Sequence, residues 1–132
     1  KLGLSEVKLG LIPGMGGTAT IVHKMAPALA AEILLTSNPV SAEDAFAAGF
    51  LNRVVASTDV LPTAMALANA IAANPPLAVK AARHVLRKSR DQTEAASLAL
   101  EAELLEALAI TEDAIEGPRA FLEKRTPVFK GR

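Results

Sequence analysis

The sequence predicts an α/β chain in which helices dominate and strands are short. Three observations carry that expectation. Apolar residues recur at helical spacing from Ser57 onward. Prolines and glycines fall where helices would start and stop. The β-rich stretches are confined to residues 1–13 and to Leu51–Val55.

In chain order, residues 1–13 read as short extended segments. A helix is expected to open near Gly16 and run to about Lys24. Pro27 suits the first turn of a second helix reaching Leu35, because a first-turn residue needs no amide. Ser37-Asn38-Pro39 reads as a turn. Ser41 reads as an N-cap with Glu43 and Asp44 in the first turn, where the helix dipole favours carboxylates. Gly49 ends that helix, and Leu51–Val55 is expected to be a strand. Val60, Ala64, Leu67 and Ile71 then share a helical face, with Leu61, Met65 and Ala68 beside it. Asn74-Pro75-Pro76 starts a helix ending near Ser89. Asp91 is expected to cap a long helix that turns Leu98, Leu104, Leu105 and Leu108 inward, and Thr111-Glu112-Asp113 starts the last one. Pro118 predicts a kink or a first-turn position, and Thr126–Phe129 an extended tail. Two parts follow: residues 1–56, carrying a glycine-rich loop, and residues 57–132, a helical region whose apolar faces exceed what it can bury alone.

Composition narrows the function. Acidic and basic residues number 14 each, so no global field draws the chain to nucleic acid or an anionic membrane. Aromatics are 3%, too few for a base-stacking surface, and about a fifth of the residues are alanine, which suits close-packed helices. The absence of cysteine excludes disulfides and thiol catalysis. His23 and His84 stand alone, without metal-ligand spacing. No apolar run approaches a membrane span and no signal peptide is legible, so a cytoplasmic location is expected.

The richest segment is Ser5 to Thr18, Ser-Glu-Val-Lys-Leu-Gly-Leu-Ile-Pro-Gly-Met-Gly-Gly-Thr. Glu6 precedes an apolar run, and Gly14, Gly16 and Gly17 interrupt it before a helix. Glycines allow close approach to the backbone, and free amides can hold a ligand or a water. A carboxylate facing such amides can move a proton and hold the oxygen involved. The run lacks the Lys-Ser/Thr of a phosphate-binding P-loop.

This segment resembles the crotonase (enoyl-CoA hydratase/isomerase) family. Three further stretches agree in order: Leu35-Thr36 through Ser41-Ala42-Glu43-Asp44-Ala45, Ala48-Gly49-Phe50-Leu51-Asn52-Arg53-Val54-Val55, and Glu116 through Arg125. The resemblance implies a crotonase-type spiral fold, of which this chain is the mainly α-helical C-terminal half. It implies hydration of 2-enoyl-CoA thioesters in fatty acid metabolism, with double-bond isomerisation or another acyl-CoA lyase reaction as the alternative. A non-catalytic truncated assembly subunit is the reading from a different class. Glu6 would supply a proton to the α-carbon, and the Gly14 amide would hold the water. Phe121 and Lys124 lie three apart, which on a helix places them on one face. Residues alone read them as a core Phe and a solvated Lys; the resemblance implies contact with the adenine and phosphate end of coenzyme A.

The resemblance also implies no metal or redox cofactor and a homotrimer or a hexamer of two stacked trimers. The family's second catalytic glutamate and its oxyanion amides belong to the other half, so the isolated chain is expected to be inactive. Lys80, Arg83, Arg87 and Arg90 recur on one helical face. They read as solvated, or as partners of coenzyme A phosphates or of Glu101 and Glu103. Two departures stand out: Ala19-Thr20 replace the family's frequent Gln-Arg, and Met15 replaces a smaller residue, which can reshape an acyl pocket.

Overall fold

In the computed structural model, which describes residues 1–132, five of the seven α-helices open on one of two local devices. Ser41, Thr93 and Thr111 take extended backbone and accept from the amides of Asp44, Ala96 and Ala114, satisfying donors that a helix start leaves free. Pro27 and Pro76 stand at first helical positions. The helices are α1 (Gly17–Ile21), α2 (Pro27–Thr36), α3 (Ala42–Ala47), α4 (Val60–Ala72), α5 (Pro76–Lys88), α6 (Glu94–Ala109) and α7 (Glu112–Leu122). Single 3-10 turns span Glu6–Leu9 and Ser57–Asp59. Two compact units form, Lys1–Asp59 and Val60–Arg132.

The first unit has a true core. Ile21 and Met25, at and beyond the end of α1, meet Ala30, Ile33 and Leu34 of α2. Leu4, Leu29, Val40, Ala48 and Phe50 close over them. An antiparallel bridge joins Leu2 to Val40, with amide-to-carbonyl distances of 3.0 and 2.8 Å. α3 ends on Gly49 (φ +77°), whose amide donates to the Phe46 carbonyl while that of Phe50 donates to Ala45. This paired closure needs a left-handed residue, hence glycine, and it swings Phe50 onto the core.

Three expectations fail here for physical reasons. Leu51–Val55 forms no strand: it finds no partner within the chain for its backbone groups, and Val54 and Val55 stay exposed. Residues 6–9 form a 3-10 turn rather than an extended segment. α1 is α-helical only to Ile21; beyond it the chain tightens into i→i−3 turns, His23 donating to Thr20 and Lys24 to Ile21, because the β-branched run Thr20-Ile21-Val22 favours α-helix weakly.

The second unit is built differently. α5 packs on α6, and α6 on α7. Leu77, Ala81 and Val85 form one half-buried stripe, and Leu100, Leu104 and Leu108 another. Ala120 is the unit's single buried hydrophobic residue. Leu98 and Leu105, expected inward, are exposed, because α6 is apolar around more of its circumference than its neighbours cover. Thr93, not Asp91, caps α6. Pro118 sits inside α7, where it removes one helical hydrogen bond. No helix is long and apolar enough to cross a membrane.

Candidate active site

Glu6 opens the 3-10 turn that follows Ser5. Its backbone carbonyl accepts from the Leu11 amide at 3.1 Å, and Gly10 closes the turn in left-handed backbone. Its side chain is half-buried. One carboxylate oxygen, Oε2, is shut off from solvent and has no hydrogen-bond partner. Buried polar atoms are almost always paired, so this carboxylate oxygen is free to meet a group from outside the chain.

From Glu6 the chain runs through exposed Leu11 and Ile12 to buried Pro13, and then into the turn Gly14-Met15-Gly16. The amides of Gly14, Met15 and Gly16 donate to no protein acceptor. Gly14 is exposed, and a Cβ built on it would meet only the Ile12 carbonyl at 3.8 Å, so the space over its backbone is open. Gly17 differs: a Cβ there would lie 2.7 Å from Pro13 Cβ, so its bareness serves packing. Met15 stands fully exposed at the tip of the turn. Glu6 and Gly14 thus share one continuous segment of the first unit.

Phe121 and Lys124 belong to the second unit. Phe121 is 83% exposed, which removes the reading of it as a core residue. The two do not share a helical face. α7 ends at Leu122, and Lys124 takes left-handed backbone (φ +54°) in the turn beyond, its amide donating to the Phe121 carbonyl. Lys124 sits between Glu123 and Arg125, both ion-paired. A cavity of about 220 Å³ lies beside α7 and the tail, but Glu112, Glu116, Arg119 and Lys130 in its wall are ion-paired and Asp113 accepts from the Lys130 and Gly131 amides. Lys80, Arg83, Arg87 and Arg90 are exposed and make no ion pair within the chain, with Glu101 and Glu103 or otherwise.

The enoyl-CoA hydratase/isomerase family model matches residues 1–132, the whole of this segment-and-helix arrangement. The chain belongs to that family. It is 42% identical over 132 residues to the 2,3-dehydroadipyl-CoA hydratase of Escherichia coli, covering all of this chain and 52% of that protein. It is 35% identical over 133 residues to the carnitinyl-CoA dehydratase of Salmonella typhi, covering 98% of this chain and 51% of that one. Among solved structures, an enoyl-CoA hydratase from Bacillus anthracis superposes with a TM-score of 0.95 at 34% identity, covering 99% of this chain and 51% of that one. EchA1 from Mycobacterium marinum, also an enoyl-CoA hydratase, gives 0.92 at 38%, covering 98% and 52%. The fold is therefore the crotonase fold of the enoyl-CoA hydratases, and the chain spans about half the length of the curated relatives it matches.

Within the family motif, one residue was left without a role by sequence reasoning. Lys8 donates through Nζ to the Ser37 carbonyl at 3.3 Å and to Asn38 Oδ1 at 3.2 Å. The available signal was a lone charge inside an apolar run, and its partners lie too far along the chain to be read from spacing.

Proposed function

We propose that the whole protein carrying this chain is a hydro-lyase that adds water across the double bond of 2-enoyl-CoA thioesters in fatty acid metabolism. The observation that carries the reading is the enclosed, partnerless Oε2 of Glu6, on a segment leading to the open amide of Gly14. Glu6 acts as the acid that protonates carbon 2, and the Gly14 amide helps hold the water that reaches carbon 3. The thioester oxygen gains charge as the enolate forms and is stabilised by amides contributed from outside this chain. Acid–base chemistry alone suffices, with no metal or redox cofactor. The relatives named a hydratase and a dehydratase support chemistry in which water is added to or lost from an acyl-CoA.

Exposed Phe121 would stack on the adenine of the coenzyme, and the Lys124 ammonium would meet its phosphate. The apolar residues that α4 leaves uncovered support burial against a further surface; the proposed whole protein is a cytoplasmic homotrimer, or a hexamer of two trimers.

The test is hydration of crotonyl-CoA by the whole protein, followed by absorbance. Glu6→Gln is expected to lower kcat by about 10²–10⁴ with KM little changed. Near-wild-type turnover in that variant removes Glu6 from the chemistry, and a shift of the double bond without uptake of water turns the reading to an isomerase.

A further inference from the structure

The turn that carries Glu6 lies against α2 but sinks no residue into the core. Glu6–Leu9 contains no buried residue, and a 3-10 turn has weaker hydrogen-bond geometry than an α-helix. Its neighbour α2 is the opposite: Ala30 is fully buried and Ile33 is 2% exposed, so this helix is fixed in the core of its unit. Lys8 connects the two. Its ammonium reaches 29 residues along the chain to the carbonyl of buried Ser37, where α2 ends, and also to the side chain of Asn38. All other side-chain hydrogen bonds within Lys1–Asp59 join residues no more than five apart. The end of a helix is a favourable place for a cation, since its last carbonyls lack partners and carry the negative end of the dipole.

Lys8 does not neutralise Glu6, for the two form no ion pair. At about three residues per turn, positions 6 and 8 project roughly 120° apart, so one side chain can hold the scaffold while the other faces the reacting centre. Nothing within the chain holds Glu6 Oε2 by a hydrogen bond, so its aim depends on the turn beneath it.

We propose that Lys8 is a positioning residue for Glu6: by tying the 3-10 turn to the C-terminal end of α2, it fixes the direction of the catalytic carboxylate. This rests on the acid–base reading of Glu6 given above. Misplacing a reacting group by an ångström can cost about a hundredfold in rate without touching substrate affinity.

The experiment uses the whole protein and crotonyl-CoA. Lys8→Met keeps the length of the side chain and removes its donors. It is expected to lower kcat about tenfold to a hundredfold, with KM within about twofold and an unchanged circular dichroism spectrum; Lys8→Arg recovers most of the loss. In a Glu6→Gln background, Lys8→Met is expected to cost little more, because the two act as one unit. Wild-type kcat in Lys8→Met overturns the proposal, as does a full additional loss in the double variant. Should Lys8→Met fail to fold, Lys8→Ser keeps a polar side chain at this exposed position but is too short to reach either acceptor: a severalfold fall in kcat at constant KM supports the tether, and wild-type kcat overturns it. If Glu6→Gln itself turns over normally, the acid–base reading and the tether fall together; if Glu6→Gln is impaired and Lys8→Met is not, the tether alone falls.

Discussion

Arg125 holds Glu116 at both ends of its guanidinium, Nη1 to Oε1 at 2.6 Å and Nη2 to Oε2 at 2.8 Å. The same arginine donates through Nε to Glu123 at 2.6 Å, and Glu123 also accepts from Arg119 at 2.9 Å. Glu116 takes a further bond from the Val128 amide. One motif from Glu116 to Arg125 thereby closes the turn after α7 and starts the tail that Asp113 receives through the amides of Lys130 and Gly131.

The first prediction concerns acid. The Arg125 hydrogen bonds, and then the Val128 amide, hold the Glu116 carboxyl at about 2, well below its ordinary value of 4.5. A depressed carboxylate contributes stability above its ordinary value and loses it as pH falls through its folded value. Thermal melts are therefore expected to show Glu116→Gln less stable than wild type at pH 7, with the gap closing between pH 4.5 and about 2. A gap independent of pH would show that the pair contributes nothing through ionisation. Arg125→Lys is expected to behave like the Gln variant, because an ammonium cannot grip both oxygens.

A second prediction concerns Ser37. It ends α2 in left-handed backbone (φ +54°), it is buried, and its hydroxyl has no partner. Glycine takes this conformation without the Cβ penalty, and here it would also remove an unpaired polar atom. Ser37→Gly is expected to stabilise the protein by about 1 kcal/mol, read as a rise in Tm. An unchanged or lower Tm would show that the entropy a glycine adds to the unfolded chain, or a partner of the hydroxyl in the whole protein, outweighs the relieved strain.

These cases separate what the sequence shows from what it hides. The starts of α2, α3, α5 and α7 were legible because the devices are local: Ser41 and Thr111 accept from amides three residues on, and Pro27 and Pro76 stand where a helix needs no amide. Asp91 was mistaken for the cap of α6 because Asp and Thr serve nearly equally there and only backbone geometry chose Thr93. The strand expected at Leu51–Val55 was not legible as an error, since strand pairing depends on a partner that periodicity cannot supply. The position of Glu6 and the glycine turn could be read from spacing. The orphaned Oε2 and the reach of Lys8 to Ser37 could not, because both are set by contacts across the fold.

A third prediction addresses assembly. Leu61 is 70% exposed and Met65 51%, one helical turn apart on α4, which buries no residue at all. Apolar anchors of this kind carry much of the energy of an interface when covered. If the whole protein assembles as proposed, replacing both with Glu is expected to reduce its mass in light scattering to that of a smaller species. Retention of the wild-type mass would place the contact elsewhere.

The last prediction sets two glycines of one turn against each other. At Gly17 a methyl group would press on Pro13 at 2.7 Å and touch Leu4 at 3.4 Å, so Gly17→Ala must displace backbone-anchored neighbours. Overpacking of this kind costs about 1–3 kcal/mol and should appear as a lower Tm. At Gly14 the nearest atom is the Ile12 carbonyl at 3.8 Å, an ordinary contact, so Gly14→Ala should melt with the wild type. If the Gly14 amide holds the attacking water, the same methyl group crowds that water, and kcat for hydration should fall at least severalfold while the fold is untouched. A Gly14→Ala variant with wild-type kcat would assign the water to another donor, and one with a lower Tm would make Gly14, like Gly17, a residue of the scaffold.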